Sequence, residues 1–250
     1  MDFEIQRAPL LRRLAAFLID ILLRGILIVA LLSLFASVTR FEEKKQRMET
    51  IYDEIAERFG ISPDDVMDSS ALPPEEQERY RLANEALAAD EEAGSLYRWL
   101  IISYVAGVSG AILITYLLLE FAVPLLFRDG RTVGKRLFGL CVVHTNCVRM
   151  EAGAMFIRSF FGKYIVETMI SVLGIILLNM GTVGSAALML PILLFLFETV
   201  LFFAGKNRQL IHDYFAQSAV ADYQSQPIYD TLDELNKAKG KKTEKAAKSR

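Results

Sequence analysis

Four carboxylates stand inside long apolar runs: Asp20 in the first, Glu120 in the second, Glu167 in the third and Glu198 in the fourth. An ionised acid at the centre of a bilayer costs on the order of 2.5–3.5 kcal/mol, so four facing lipid would cost about 10 kcal/mol together. That equals the stability of a whole domain. Such groups must therefore face one another, a cation or water. Counted inward from the basic residues that bound each run (Arg13, Arg128, Arg158 and Lys206), all four acids fall roughly 10–13 Å deep at about 1.5 Å per residue.

The first run also carries Arg24. On a helix, Asp20 and Arg24 fall about 20° either side of Arg13, and their i, i+4 spacing lets them pair. Two readings of the cluster follow. In one, Arg24, Arg158 and Lys163 neutralise the acids and the cluster is structural. In the other, Asp20, Glu120, Glu167 and Glu198, with Arg24, line a pathway for a monovalent cation or a proton. Glu120 and Glu198 have no basic neighbour on their own helix, so burial favours their protonated forms and makes them the expected carriers. Asp20, beside Arg24, is the expected fixed charge.

These side chains need elements to hold them. Of 250 residues 53% are hydrophobic, and they gather into four runs, Leu14–Val38, Leu100–Phe127, Ile165–Met180 with its approach from Ala154, and Ala186–Ala204. Each is about long enough for the ~20 helical residues that cross a bilayer core. None alternates as a barrel strand does, so helices are expected. The first run is too long, and too charged inside, for a cleaved signal peptide. The expected fold is an all-α membrane protein: a bundle of four transmembrane helices, an extracytoplasmic helical insertion, and a cytoplasmic loop holding a short hairpin at Leu137–Met150.

Charge sets the expected orientation. Arg7, Arg12 and Arg13 precede the first run, and the loop 128–163 holds seven basic residues against Asp129 and Glu151. Lys206 and Arg208 follow the fourth run. Both termini are thereby expected in the cytoplasm, with the spans in the cell (inner, cytoplasmic) membrane. Residues 1–40 form the N-terminus and first span. Residues 41–97 hold 16 acidic against 6 basic residues and are expected outside. Met48, Ile51, Tyr52, Ile55 and Phe59 at helical spacing, Gly60 as a stop, and starts at Ser62-Pro63-Asp64-Asp65 and Pro73-Pro74-Glu75-Glu76 predict a small helical cap there. Residues 98–222 hold the other spans, and 223–250 read as a polar, disordered tail with weak attraction for anionic lipid.

Other chemistry finds little support. Cys141, His144 and Cys147 give C-x2-H-x2-C, one ligand short of a structural zinc site, and read as hairpin residues. The G-x-x-x-G-K-R of residues 130–136 is not a Walker loop. His144 and His212 are the two histidines, with no H-E-x-x-H and no nucleophile–base spacing, so neither an enzyme, a cofactor, a metal nor nucleic-acid binding is expected.

Three stretches carry a family resemblance: R-R-L-A-A-F-L-I-D at 12–20, G-R-T-V-G-K-R-L-F-G-L-C-V-V at 130–143, and N-R-Q-L-I-H-D-Y-F at 207–215. Together they resemble the RDD family of multi-pass bacterial membrane proteins. The resemblance places the family's arginine at Arg13 and its aspartates at Asp20 and Asp213, and covers roughly 8–40 and 98–222. It implies transport, for some members cation/proton exchange, with no catalytic mechanism attached to the motif. Physically, Asp213 is expected to pair with Arg131 or Arg136 and pin the loop; Arg13 is the alternative, and capping of a short helix the plainer one. Lys135 and His212 are further structural candidates. Against transport stands a membrane scaffold that recruits partners through its acidic segment or basic tail. Gly107, Gly110 and the small residues of Gly181–Ser185 offer faces for a homo-oligomer.

Overall fold

The computed structural model describes residues 5–62, 73–127, 129–179 and 184–248. The predicted helix start at 62–65 falls largely outside them, as do Arg128 and part of the Gly181–Ser185 face. The protein is nearly all helical, and four helices are long and apolar enough to cross a membrane. They are α1 (Leu10–Thr39), α4 (Glu91–Leu126), α6 (Ala152–Leu178) and α7 (Gly184–Ala204). Between the first two lie α2 (Phe41–Phe59) and α3 (Pro74–Ala89). The loop holds α5 (Val133–Leu137) and β1 (Leu140–His144). After α7 come α8 (Ile211–Phe215), β2 (Ser218–Asp222) and α9 (Leu232–Lys248).

The chain divides into two compact units, residues 29–111 and the remainder. In the smaller one, Met48, Ile51 and Ile55 of α2 are buried against Ala83 and Ala93, as the helical spacing predicts, while Tyr52 stays exposed. Gly60 ends α2 at φ +63°, where glycine costs least. Pro74 opens α3 in its first turn, where its missing N–H costs nothing. Arg47 clasps Glu92 through two bonds of 2.8 Å. Gly107 lies under the Phe35 ring, whereas Gly110 faces open space.

In the larger unit a small β platform gathers distant segments. β1 pairs antiparallel with β2, Leu140 opposite Asp222 and His144 opposite Ser218. The predicted hairpin is present but minimal, and it is not the main ladder of β1. The turn at 145–147 does close, with Cys147 at φ +68° and a bond from His144 N–H to the Val148 carbonyl, but it adds a lone bridge from Val143 to Arg149. The ladder capacity of β1 is spent on the segment after the last span. Arg7 bridges Ala221 on the other edge, and Val148 bridges Tyr229. Leu140, Val142, Val220, Ala8 and Ala16 form the core beneath. Leu140 is 1% exposed. Leu140→Ala should therefore cost about 2–5 kcal/mol, read as a lower unfolding midpoint.

The tail also departs from expectation. It is helical over α9, with Leu235 buried. Thr231 accepts from the Glu234 N–H at 3.2 Å and Glu234 reaches back to the Asp230 N–H at 3.0 Å, a capping pattern written in T-L-D-E.

Candidate functional site

The larger unit gathers the acids into linked groups. Asp20, 6% exposed, is the first. Its Oδ1 accepts from the Gly134 N–H at 2.8 Å and its Oδ2 from the Thr132 hydroxyl at 2.5 Å. Thr132 is the N-cap of α5, so α1 supplies the anion that fixes the start of that helix. This seating explains the second glycine of the loop motif. A Cβ on Gly134 would stand 2.2 Å from the Ala16 carbonyl oxygen. Lys135 then points inward, 3.8 Å from Asp20 Oδ2.

The second group centres on Glu120, which sits in a π-helical turn, Leu117–Ala122. Lys163 binds its Oε2, and Arg24 lies 3.5 Å from its Oε1. Arg24 also donates to the Tyr116 hydroxyl at 3.1 Å, and that hydroxyl meets Thr168 at 2.7 Å. The expected Asp20–Arg24 side-chain pair is thus corrected: Arg24 touches only the Asp20 carbonyl, at 3.2 Å, because Thr132 and Gly134 hold the carboxylate. Glu120 has no basic neighbour on its own helix, but neighbouring helices supply two cations.

The third group joins α6, α7 and α8. Residues Ile157–Met169 wind as a π-helix, and the wider turn lets Arg158, Ser159, Gly162 and Lys163 share one buried face. Arg158 grips Asp213 through Nε at 3.0 Å and Nη2 at 2.8 Å. Asp213 also accepts from the Ser218 hydroxyl at 2.9 Å and caps α8 through the Leu210 N–H at 3.3 Å. Burial alone would raise its carboxyl, but the Arg158 guanidinium, and then the Ser218 hydroxyl, outweigh that and hold it below the usual carboxylate range.

This corrects the expected partners of Asp213. Arg131 instead pairs with Asp129 in its own turn and covers the Tyr223 ring, and Arg136 lies over Phe127. Arg13 donates to the Arg208 carbonyl at 2.9 Å and stacks on Phe202, so it joins the first and last spans without binding Asp213 directly. Helix capping by Asp213 is real, yet the residue is 1% exposed and no surface group.

His212 faces both ways. Arg158 Nη2 donates to its Nε2 at 3.0 Å, which places the ring proton on Nδ1, 2.6 Å from Glu167 Oε1. Its backbone N–H donates to the same oxygen at 2.9 Å. Burial pushes His212 below its ordinary range despite Asp213 and Glu167, in keeping with a neutral ring. Gly162 lets α8 approach this closely, for a Cβ there would meet His212 Cα at 2.5 Å.

Glu198 of α7 completes the group. Its carboxyl lies against that of Glu167, within hydrogen-bonding reach. Its Oε1 is one of two buried side-chain polar atoms without a partner among the described residues. Two carboxylates cannot donate to each other; a single proton between them satisfies both. A small cavity bounded by Glu120, Gly130, Val142 and Arg158 lies between the platform and these groups. Among the described residues no cluster of histidine, cysteine and acids has the arrangement to hold a metal.

The three motif residues, Arg13, Asp20 and Asp213, therefore do one kind of work: each ties a span to the loop or hinge beside it. The model of the RDD family matches residues 7–217, the stretch that contains all three. The chain belongs to the RDD family. No curated protein and no solved structure matches it. The match takes in the acidic insertion and stops before β2 and α9. For this RDD protein, sequence pointed to Arg24, Arg158 and Lys163 as neutralising cations, and each lies against an acid or its partner. Tyr116, Thr132 and Ser218 escaped notice. Thr132 alone carried a signal, as a threonine ahead of V-G-K-R at an N-cap.

Proposed function

We propose that this RDD membrane protein is a small cation/proton exchanger, in which the Glu167–Glu198 pair carries the proton. One observation carries the reading: Glu198 holds a buried, unpartnered carboxyl oxygen beside a second acid inside a membrane-crossing helix. Elsewhere in the cluster the acids are matched, Glu120 by Lys163 and Arg24 and Asp213 by Arg158, which suits them to fixed structural charge. At Glu167 and Glu198 the nearest donor is a neutral histidine. Two carboxylates that share one buried proton can trade that proton for a monovalent cation. The basic loop and the lysines after α7 favour both termini in the cytoplasm of a bacterial inner membrane, with the acidic insertion outside.

The test is collapse of a pH gradient in inside-out vesicles on addition of Na⁺, Li⁺ or K⁺. Glu198→Gln should abolish the response at equal expression, since an amide holds no exchangeable proton. Glu120→Gln should instead lower folded yield, because it leaves two buried cations short of a counter-charge. No response to any ion from the folded wild type would overturn the exchanger and favour a scaffold.

A further inference from the structure

Lys135 is the base of the cluster whose donors are not spent. An ammonium has three N–H donors. Here one goes to the Thr132 hydroxyl at 3.2 Å, and Asp20 Oδ2 stands off at 3.8 Å with its own bonds taken by Thr132 and Gly134. The charged groups around it come from three elements: Asp20 and Arg24 on α1, Glu120 on α4, Lys163 and Arg158 on α6. Glu120 is already held by Lys163 and Arg24, and Arg158 by Asp213. Each nearby acid therefore has its donors or cations without Lys135, and the amine is seated against two fixed cations with 11% of its side chain exposed. The seat is rigid, because Gly134 lies directly on α1.

We propose that Lys135 is a second proton-binding group of the exchanger: a proton on its amine and a monovalent cation bound in the buried cluster exclude one another. This rests on the exchanger reading and names its control from the loop side. Adding a proton to Lys135 puts one more positive charge beside Lys163 and Arg158. Arg158, which feels the charge of Lys135 through space, contacts His212, which holds Glu167, so the added charge opposes a cation at the acids. Removing the proton relieves that opposition. By reciprocity, a bound cation lowers the proton affinity of Lys135 as much as the proton lowers the cation's. Burial first, and then Lys163, push the amine down to about 7, with Glu120 and Asp20 acting the other way, so the exchange of states falls in the range where a cell works.

The purified full chain in nanodiscs is titrated with NaCl, LiCl and KCl against choline chloride at constant ionic strength. Thermal unfolding midpoints give the half-saturating concentration between about pH 6 and about pH 8. For wild type that concentration should rise toward the limit of about a hundredfold per pH unit as pH falls below the Lys135 titration, the slope of two competing protons, one on Lys135 and one on the Glu167–Glu198 pair. Lys135→Met should keep only the proton of the Glu167–Glu198 pair as a competitor, so its slope should stay within about tenfold per pH unit and its binding at low pH should be tighter than that of wild type. Lys135→Arg, charged at every pH, should bind weakly throughout, and serves where the methionine variant fails to fold. Cation binding whose pH dependence is the same in wild type and either variant overturns this proposal and leaves the exchanger standing. No cation effect in any of the proteins removes the exchanger itself.

Discussion

Asp213→Ala should destabilise the protein by about 3–5 kcal/mol, the cost of leaving a buried guanidinium without its carboxylate. Arg158 is 6% exposed and would keep only the neutral His212 ring. Arg158→Met should cost as much from the other side, because Asp213 then stays buried against Ser218 and the Leu210 N–H alone. The double change Arg158→Met with Asp213→Leu should recover most of either loss, since replacing both members of a buried pair with apolar groups is often close to neutral. Unfolding midpoints in detergent supply the cycle, and strictly additive losses would break the pairing. A second cycle, Arg131 with Asp213, should be additive, because Arg131 spends its charge on Asp129. The pair also has a pH signature. The Asp213 carboxyl is held below its usual range, so its contribution is complete above the ordinary value of about 4 and is lost only as pH falls through the lower, folded one. Mild acid should therefore leave this contact closed.

The four spans were legible because length and apolarity alone define them, and α2 was legible because its buried residues keep a 3.6-residue period. The presence of a buried acid cluster was legible as well, since hydrocarbon tolerates no other arrangement. The pairings within it were not. At about 100° per residue, Arg158 and Lys163 fall roughly 140° apart, which sends them to different faces of an α-helix. The π winding of residues 157–169 brings both inward, and nothing in I-R-S-F-F-G-K-Y-I-V-E announces that winding. Once it is granted, Lys163 reaches Glu120 and Arg158 reaches Asp213. The long-range ladder was missed for a different reason. Strand propensity in L-C-V-V-H says that a strand forms, while its extension from the bridge six residues on to a partner nearly eighty away lies in the packing of the spans. π-helical turns at Glu120 and at Arg158 mark the two places where regular helix would misplace a charge, as is common where helices carry functional groups.

Two glycines test this packing most directly. Gly162→Ala puts a methyl 2.5 Å from both Cα and Cβ of His212, and Gly134→Ala puts one 2.2 Å from the Ala16 carbonyl oxygen. In each case backbone blocks the new atom, so a helix must move rather than a side chain. Overpacking of this kind costs about 1–3 kcal/mol or more. The functional consequences should differ. Displacing α8 pulls His212 from Glu167, which loses two donors to the same oxygen. Exchange through the Glu167–Glu198 pair should then fail in the protein that still folds. Displacing α5 frees Asp20 from Gly134 and Thr132 and withdraws Lys135, so Gly134→Ala should lower the pH dependence of cation binding to that of the acid pair alone. Gly153→Ala is the control, for nothing lies within 4 Å of its new methyl. Equal unfolding midpoints for all three alanine variants would mean that α5 and α8 do not rest on α1 and α6 as these distances require. A lower midpoint for Gly134 and Gly162 alone would tie both motif stretches, G-K-R and H-D, to one requirement: a backbone placed close enough to a span to put a charge inside it.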